Sequence, residues 1–525
     1  MLLAGEAMDM LDALVAAVAA PSVRAELGGG ASLTQWLGAA YTLAMAVGLI
    51  TGGRLGDVAG RRRMFLAGAA GFTAASLLCA AAGSPETLIA GRGLQGLCGA
   101  VMIPQGLGLI REMFSGRELN RALGMYGPVM GLAYVGGPVL AGWLVSADWF
   151  GSGWRMVFLV NLPLGLLALL GGWRFLPRSG PAGGTRLDVV GVVLASVAAL
   201  PVVFPLVQGR ELGWPAWVFV ALAAGVALFG VFGWYEARRE RGGGDPLVLT
   251  GLFRKRAFSG GLVTGAVLFA AVAGFSLVLS LFLQSGLGAS PLEAGLAVLP
   301  WSGGTVVGFV VVQVLDGKGA MERLGRALVQ LGVGVMALGS GGFAAVLAGA
   351  GAEVTVWRGA PALAVVGLGM GLVMGPFFST VLAAVEPRET GSAAGTLTAV
   401  QQFGSALGVA VLGTVFFSVL GGQVAGAAET VAPRVLAEAG VAGPERPALV
   451  AAVRACGRET AESPDPSVPA ESCRLSAGRP AGEAGRAATR LGYSGAMRIT
   501  LWAELALLAV TFAVSFLLPR PPRRR

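Results

Sequence analysis

Long apolar runs separated by short polar breaks repeat along almost the whole chain. Read for length and continuity, they predict fourteen spans at about 2–20, 36–53, 64–83, 87–110, 122–145, 156–176, 187–208, 215–235, 258–284, 291–315, 326–350, 361–385, 393–420 and 498–518. Roughly 18 consecutive apolar residues suffice for a helix to cross a bilayer, and these runs reach that length. The first run lacks a basic leading segment and a small-x-small cleavage site, so it reads as a first span and not a leader. The pattern predicts an all-α membrane protein.

Composition agrees. Hydrophobic residues make up 55% of the 525 and charged residues 13%, about half the charge a soluble domain carries. The 85 glycines would weaken soluble helices. In a membrane, small residues let helix backbones approach closely.

The few charges supply direction. Gly53-Arg54-Leu55-Gly56-Asp57-Val58-Ala59-Gly60-Arg61-Arg62-Arg63 reads as a tight link between spans 2 and 3, with four arginines in eleven residues. Short loops rich in Lys and Arg stay on the cytoplasmic side. Alternating from this loop, the inside loops hold 24 basic residues and the short outside loops four: Arg24, Arg155, Arg210 and Arg358. A wrong span count would scramble that asymmetry, so both termini are expected inside. The net charge of +9 is dispersed among these loops as topology signal and does not suggest nucleic-acid binding.

The segment 421–496 falls outside, is rich in Ala, Pro, Glu and Arg, and is expected to be poorly ordered or only partly helical. Its Cys456 and Cys473 are compatible with a disulfide or with two unpaired thiols; Cys79 and Cys98 lie in apolar runs and read as packing residues. With no histidine and no CxxC spacing, the chain offers no metal site and no histidine relay. Leu315-Asp316-Gly317-Lys318-Gly319 echoes the first loop faintly. That echo divides the chain into a six-helix bundle over 1–176, an inserted pair over 177–240 and a second bundle over 241–525. Repeated halves around a central site are a transporter architecture.

Buried charge marks the candidate chemistry. Asp12 stands near the middle of span 1, where a carboxylate is costly, faces a cavity and serves function. It is the expected proton carrier and a substrate contact; the alternative is a carboxylate locked in a structural pair. Glu6 and Asp9, nearer the inner end, read as snorkelling or start-of-helix acids. Arg92, the basic residue deepest within a span, lies at a depth from which its side chain can reach Asp12. Arginine keeps its proton, so its role is to hold the acid's charge. In Gly131-Leu132-Ala133-Tyr134-Val135-Gly136-Gly137-Pro138 of span 5, Gly136, Gly137 and Pro138 break a helix bond and open a small face, as a packing seam or a pivot. Gly53, Gly56, Asp57, Gly60, Arg61 and Arg62 form a candidate latch between conformations. Gln95, Tyr134 and Gln401 join Asp12 as candidate substrate contacts, and Glu504 reads as a snorkelling or locally paired acid in the outer third of span 14.

The Gly53–Arg63 loop resembles the loop between spans 2 and 3 of the major facilitator superfamily. Leu11-Asp12 through Pro21-Ser22 resembles the first-span motif of its fourteen-span drug:proton antiporter branch, the EmrB/QacA type. Arg92 with Gln95-Gly96, Gly136-Gly137-Pro138, and Trp154-Arg155 through Asn161-Leu162-Pro163 are similar to motifs of spans 4, 5 and 6. Ala141 stands where the span 5 motif has glycine, and the loop before span 14 is longer than usual. The resemblance implies export of lipophilic, cationic compounds in exchange for protons, by alternating access, with Asp12 and Arg92 in coupling roles. It implies a monomer in the bacterial cytoplasmic membrane whose partners are small lipophilic substrates, protons and lipid, with no cofactor beyond the proton gradient. Export or symport of one specific metabolite or self-made antibiotic, and a non-transporting receptor, are the competing readings; an enzyme is not expected.

Overall fold

In a computed structural model, the described residues are 2–28, 30–114, 136–177, 188–209, 212–244, 246–316, 320–351, 354–382, 385, 390–441, 445–462, 473 and 479–519. Among them every regular element is helical. Among the described residues eleven helices are long and apolar enough to cross a membrane. Beside these lie α1 (Leu2–Leu27), which carries Glu6, Asp9 and Asp12, and α2 (Ala31–Ala59).

Helices α3 (Arg61–Ala80), α4 (Pro85–Met113), α5 (Gly136–Ala147) and α6 (Asn161–Phe175) follow. Helices α1 to α4 and α6 pack on one another. Ala141 of α5 joins their core beside Val18, Cys79, Leu88 and Phe158. Helices α7 (Val189–Gln208) and α8 (Ala216–Arg241) pair, and α7 leans on α2. The second group comprises α9 (Arg256–Leu281), α10 (Leu299–Asp316), α11 (Ala320–Ala350), α12 (Ala360–Leu382), α13 (Thr390–Glu438) and α15 (Arg479–Val514), with the short α14 (Glu445–Glu462) before the last.

Three expectations change. The link between spans 2 and 3 is not an eleven-residue loop: helix continues to Ala59, Gly60 alone makes the corner at φ 94°, and α3 starts at Arg61. That φ favours glycine. Span 1 does not stop at Pro21, which sits within α1 while the helix runs on to Leu27. The third concerns segment 421–496, where of the two alternatives the partly helical one holds, with more helix than its composition suggests. Helix α13 has 49 residues, about 73 Å at 1.5 Å per residue, more than twice a roughly 30 Å hydrocarbon core. Its last turns therefore project beyond the membrane.

Ala428, Ala432 and Leu436 of that projection meet Val453 of α14 and Ala481, Ala484 and Ala488 of α15 in a small separate core. Arg454 pairs with Glu429 at 2.6 Å, and Cys456 is joined to Cys473 by a disulfide. This alanine-rich stretch lacks the periodic large residues that advertise a helix bundle, because its helices pack through methyl groups. A maleimide reagent is expected to modify Cys456 and Cys473 only after reduction. Cys456→Ser should loosen the cap by on the order of 3 kcal/mol, read as faster amide exchange in Glu445–Glu462 with the exchange of α9 unchanged.

Candidate functional site

Glycines bring α1, α2 and α4 close enough to bury charge between them. Gly48, Gly52 and Gly56 recur at helical spacing along α2. A Cβ on Gly52 would stand 2.0 Å from the Ala100 carbonyl oxygen, and one on Gly56 1.9 Å from Gln105 Oε1. Gly96 of α4 faces the Tyr41 carbonyl in the same way, at 2.3 Å. Gln105 completes the seam by donating to the Gly52 carbonyl at 2.7 Å. The glycines at 52 and 56 thus serve close packing; only Gly60 needs an unusual backbone.

At this seam Asp12 and Arg92 meet. They form an ion pair, and each is about 1–2% exposed. Arg92 also donates through Nε to the Leu37 carbonyl at 2.9 Å and through Nη1 to Gln95 Oε1 at 2.9 Å. Its guanidinium lies 4.4 Å from the Tyr41 ring centroid. Asp12 Oδ1 accepts from Asn161 Nδ2 at 2.8 Å and from Gln95 Nε2 at 3.1 Å. Gln95 Nε2 further donates to Ser76 Oγ at 2.8 Å, and Cys79 donates to Gln95 Oε1 at 3.4 Å. Five helices contribute to one buried polar network, in which each charge is compensated by its partner and by hydrogen bonds.

Asp12 and Arg92 do come together, but Asp12 is not open to a cavity as expected: it is enclosed in the pair. Glu6 and Asp9 are not snorkelling acids. They lie on the face of α1 toward α4, where a Cβ on Gly106 would stand 3.1 Å from Glu6 and one on Gly99 3.4 Å from Asp9. Glu6 is buried, and Asp9 accepts from the Tyr41 hydroxyl. Glu6, Asp9 and Asp12 therefore form a ladder along one helix seam. Cys79, read as packing, belongs to the network. Asn161, Ser76 and Tyr41 were missed as site residues, although a lone asparagine in the apolar stretch Met156–Phe175 was a usable signal.

Gln401 is half-buried, while its neighbour Gln402 reaches the Met45 sulfur at 2.9 Å. Glu504 is 1% exposed and accepts from Ser340 at 3.2 Å, so it is a locally paired acid that does not snorkel. Of the latch residues, Arg61 pairs with Glu112 at 3.2 Å and Arg62 donates to the Trp173 carbonyl in the last turn of α6, where a cation also suits the helix dipole. The Asp57 side chain, Gly131 and Tyr134 lie outside the described residues. Gly136, Gly137 and Pro138 open α5, whose small face packs across the two helix groups. A Cβ on Gly142 would lie 2.3 Å from the Pro291 carbonyl oxygen, and one on Gly295 2.3 Å from that of Pro138. Gln284 donates to the Val18 carbonyl at 2.8 Å across the same divide. Among the described residues no cluster of His, Cys, Asp and Glu could hold a metal ion.

A family model described as Major Facilitator Superfamily matches residues 2–409. The chain is 47% identical to a protein described as a probable actinorhodin transporter of Streptomyces coelicolor, over 99% of this chain and 91% of that one. It is 36% identical to the puromycin resistance protein pur8 of Streptomyces alboniger, over 79% and 80% of the two chains. A bacterial homologue of the human lysosomal transporter Spinster, solved in an inward-facing and occupied conformation, superposes with a TM-score of 0.60 at 15% identity, covering 98% of this chain and 95% of that one.

The pair's contribution is measurable by a double-mutant cycle on purified protein. Asp12→Asn leaves Arg92 without its counter-charge, and Arg92→Gln leaves Asp12 without its own. Each is expected to cost about 3–5 kcal/mol and to lower the thermal unfolding midpoint. The double variant should recover much of the loss. Additive losses would show that the pair is not a coupled unit.

Proposed function

The chain belongs to the Major Facilitator Superfamily, and from that premise we propose that it is a proton-coupled efflux antiporter for lipophilic, cationic compounds. The family and these relatives are transporters, not enzymes, and the chain is a multi-pass membrane protein with bacterial relatives. In the proposed arrangement fourteen helices form two six-helix bundles, 1–176 and 241–525, flanking an inserted pair at 177–240. The protein works as a monomer in the cytoplasmic membrane with both termini inside, driven by the proton gradient without a cofactor.

The observation that carries this reading is the Asp12–Arg92 ion pair, buried where α1, α4 and α6 meet, because a carboxylate so deep in a membrane span is costly unless it serves function. The Asp12–Arg92 pair also couples the acid to helix position: α1, α4 and α6 must shift for Asp12 to release Arg92 and Asn161 and accept a proton. Glu6 and Asp9 supply stepping points along α1 toward the inner side. With the orientation given by the arginines, the contacts of Val18, Gly142 and Gly295 across the two groups lie at the outer end. The conformation is then closed to the outside, and the proton taken up there is released inward as substrate binds.

A second reading, export of a single self-made antibiotic, is favoured by the 47% identity to the actinorhodin transporter over nearly the whole chain. Everted vesicles energised with a proton gradient test both. Wild-type vesicles should accumulate lipophilic cationic dyes and release protons as they do so, and Asp12→Asn should bring both to background. Coupled transport surviving Asp12→Asn would remove this acid from the mechanism. Transport of one aromatic antibiotic with no dye movement would establish the single-product reading.

A further inference from the structure

The inserted pair α7–α8 does not lie flat against the rest of the protein. Between it, α2 and α13 is a cavity of about 470 Å3, within the size range of small-molecule sites. Its walls include Phe229 and Phe232 of α8, Phe253, and Phe403 of α13, with Ala46 of α2 opposite. Phe229 and Phe403 meet edge to face at 5.5 Å. One lining residue, Glu236, is ionisable.

Glu236 is 1% exposed. Its Oε2 accepts from the Val248 amide at 3.0 Å, while Oε1 accepts no hydrogen bond from any described residue. Its neighbour Asp188 is better provided for. Arg239 Nε lies 3.2 Å from Asp188 Oδ2, the Tyr235 hydroxyl donates to Oδ1 at 2.9 Å, and the Gly191 amide does so at 2.9 Å. Gly191 makes room for both acids: a Cβ there would stand 2.4 Å from Glu236 Oε1 and 2.9 Å from Asp188 Oδ2. A carboxyl that lines an apolar, four-phenylalanine pocket, with one oxygen accepting from no described donor, is complementary to a ligand that brings positive charge on an aromatic frame.

We propose that this pocket, built by the inserted pair against α2 and α13 around Glu236, is a binding site for lipophilic monocations that enter from the bilayer. It is separate from the Asp12–Arg92 network. Because α2 and α13 belong to different helix groups and touch each other, a ligand here sits at the seam along which the groups part. The proposal rests on the export reading in one respect, that the bound cation is cargo on its way in.

The test uses the full-length protein in nanodiscs of phosphatidylethanolamine and phosphatidylglycerol, with an azide-bearing tetraphenylphosphonium as photolabel and adducts mapped by mass spectrometry. Adducts are expected within Phe229–Val248 and around Phe403, competed by excess tetraphenylphosphonium. Glu236→Gln should weaken this labelling at least about tenfold, as loss of one partner of a buried charge pair does. Val400→Trp, which fills the cavity and keeps the acid, should remove it. In everted vesicles both variants should raise KM for tetraphenylphosphonium and leave kcat in place. No labelling at these segments, or labelling that Glu236→Gln leaves unchanged, overturns the proposal and assigns the cavity to a lipid acyl chain. If wild-type vesicles move no tetraphenylphosphonium while the nanodisc labelling follows both variants, the site stands and the export reading falls.

Discussion

The buried pair of Asp12 and Arg92 is the interaction on which the rest of the structure depends. Neither charge can be held inside a membrane alone, so each fixes its partner's helix. Arg92 ties α4 to α1 through the acid and to α2 through the Leu37 carbonyl, and Asn161 brings in α6. Gln95 spends both ends of its amide on the same network, which reaches α3 at Ser76. Drawing α4 or α6 away from α1 would deprive Asp12 of its counter-charge or of a hydrogen-bond donor.

Such a pair can form only where backbones approach closely. Between membrane helices apolar burial supplies little net attraction, and association depends on packing and polar contacts. The stripe Gly48, Gly52, Gly56 and the facing Gly96 remove side chains that would keep α2 and α4 apart. The same device recurs between the two helix groups, where Gly142 and Gly295 press onto opposing backbone carbonyls. Within a group such contacts are combined with buried polar bonds. Across the groups glycine-on-backbone contacts stand beside polar ones such as Gln284 to the Val18 carbonyl and Gln402 to the Met45 sulfur.

The projecting ends of α13 and α15, with α14, form a cap with its own alanine core and a disulfide. Tyr493 in α15 packs on Gly286 at the end of the segment that follows α9, so the cap is continuous with the helices beneath it.

Apolar run length and the spacing of arginines made the all-helical membrane class legible from sequence, because a bilayer demands long apolar segments whatever their neighbours. A charge deep in such a segment is equally conspicuous, which is why Asp12 and Arg92 stood out. What faces what was decided by the tertiary structure. The acids Glu6 and Asp9 looked peripheral until α1 was laid against the glycines of α4, since helix facing depends on a partner that periodicity does not name. Asn161, Ser76 and Cys79 acquired their roles only through the convergence of distant helices. The helical cap was hidden because alanine-rich packing leaves little hydrophobic contrast, and Glu236 became notable only once Phe253 and Phe403, from distant segments, closed on it beside Phe229 and Phe232 of its own helix.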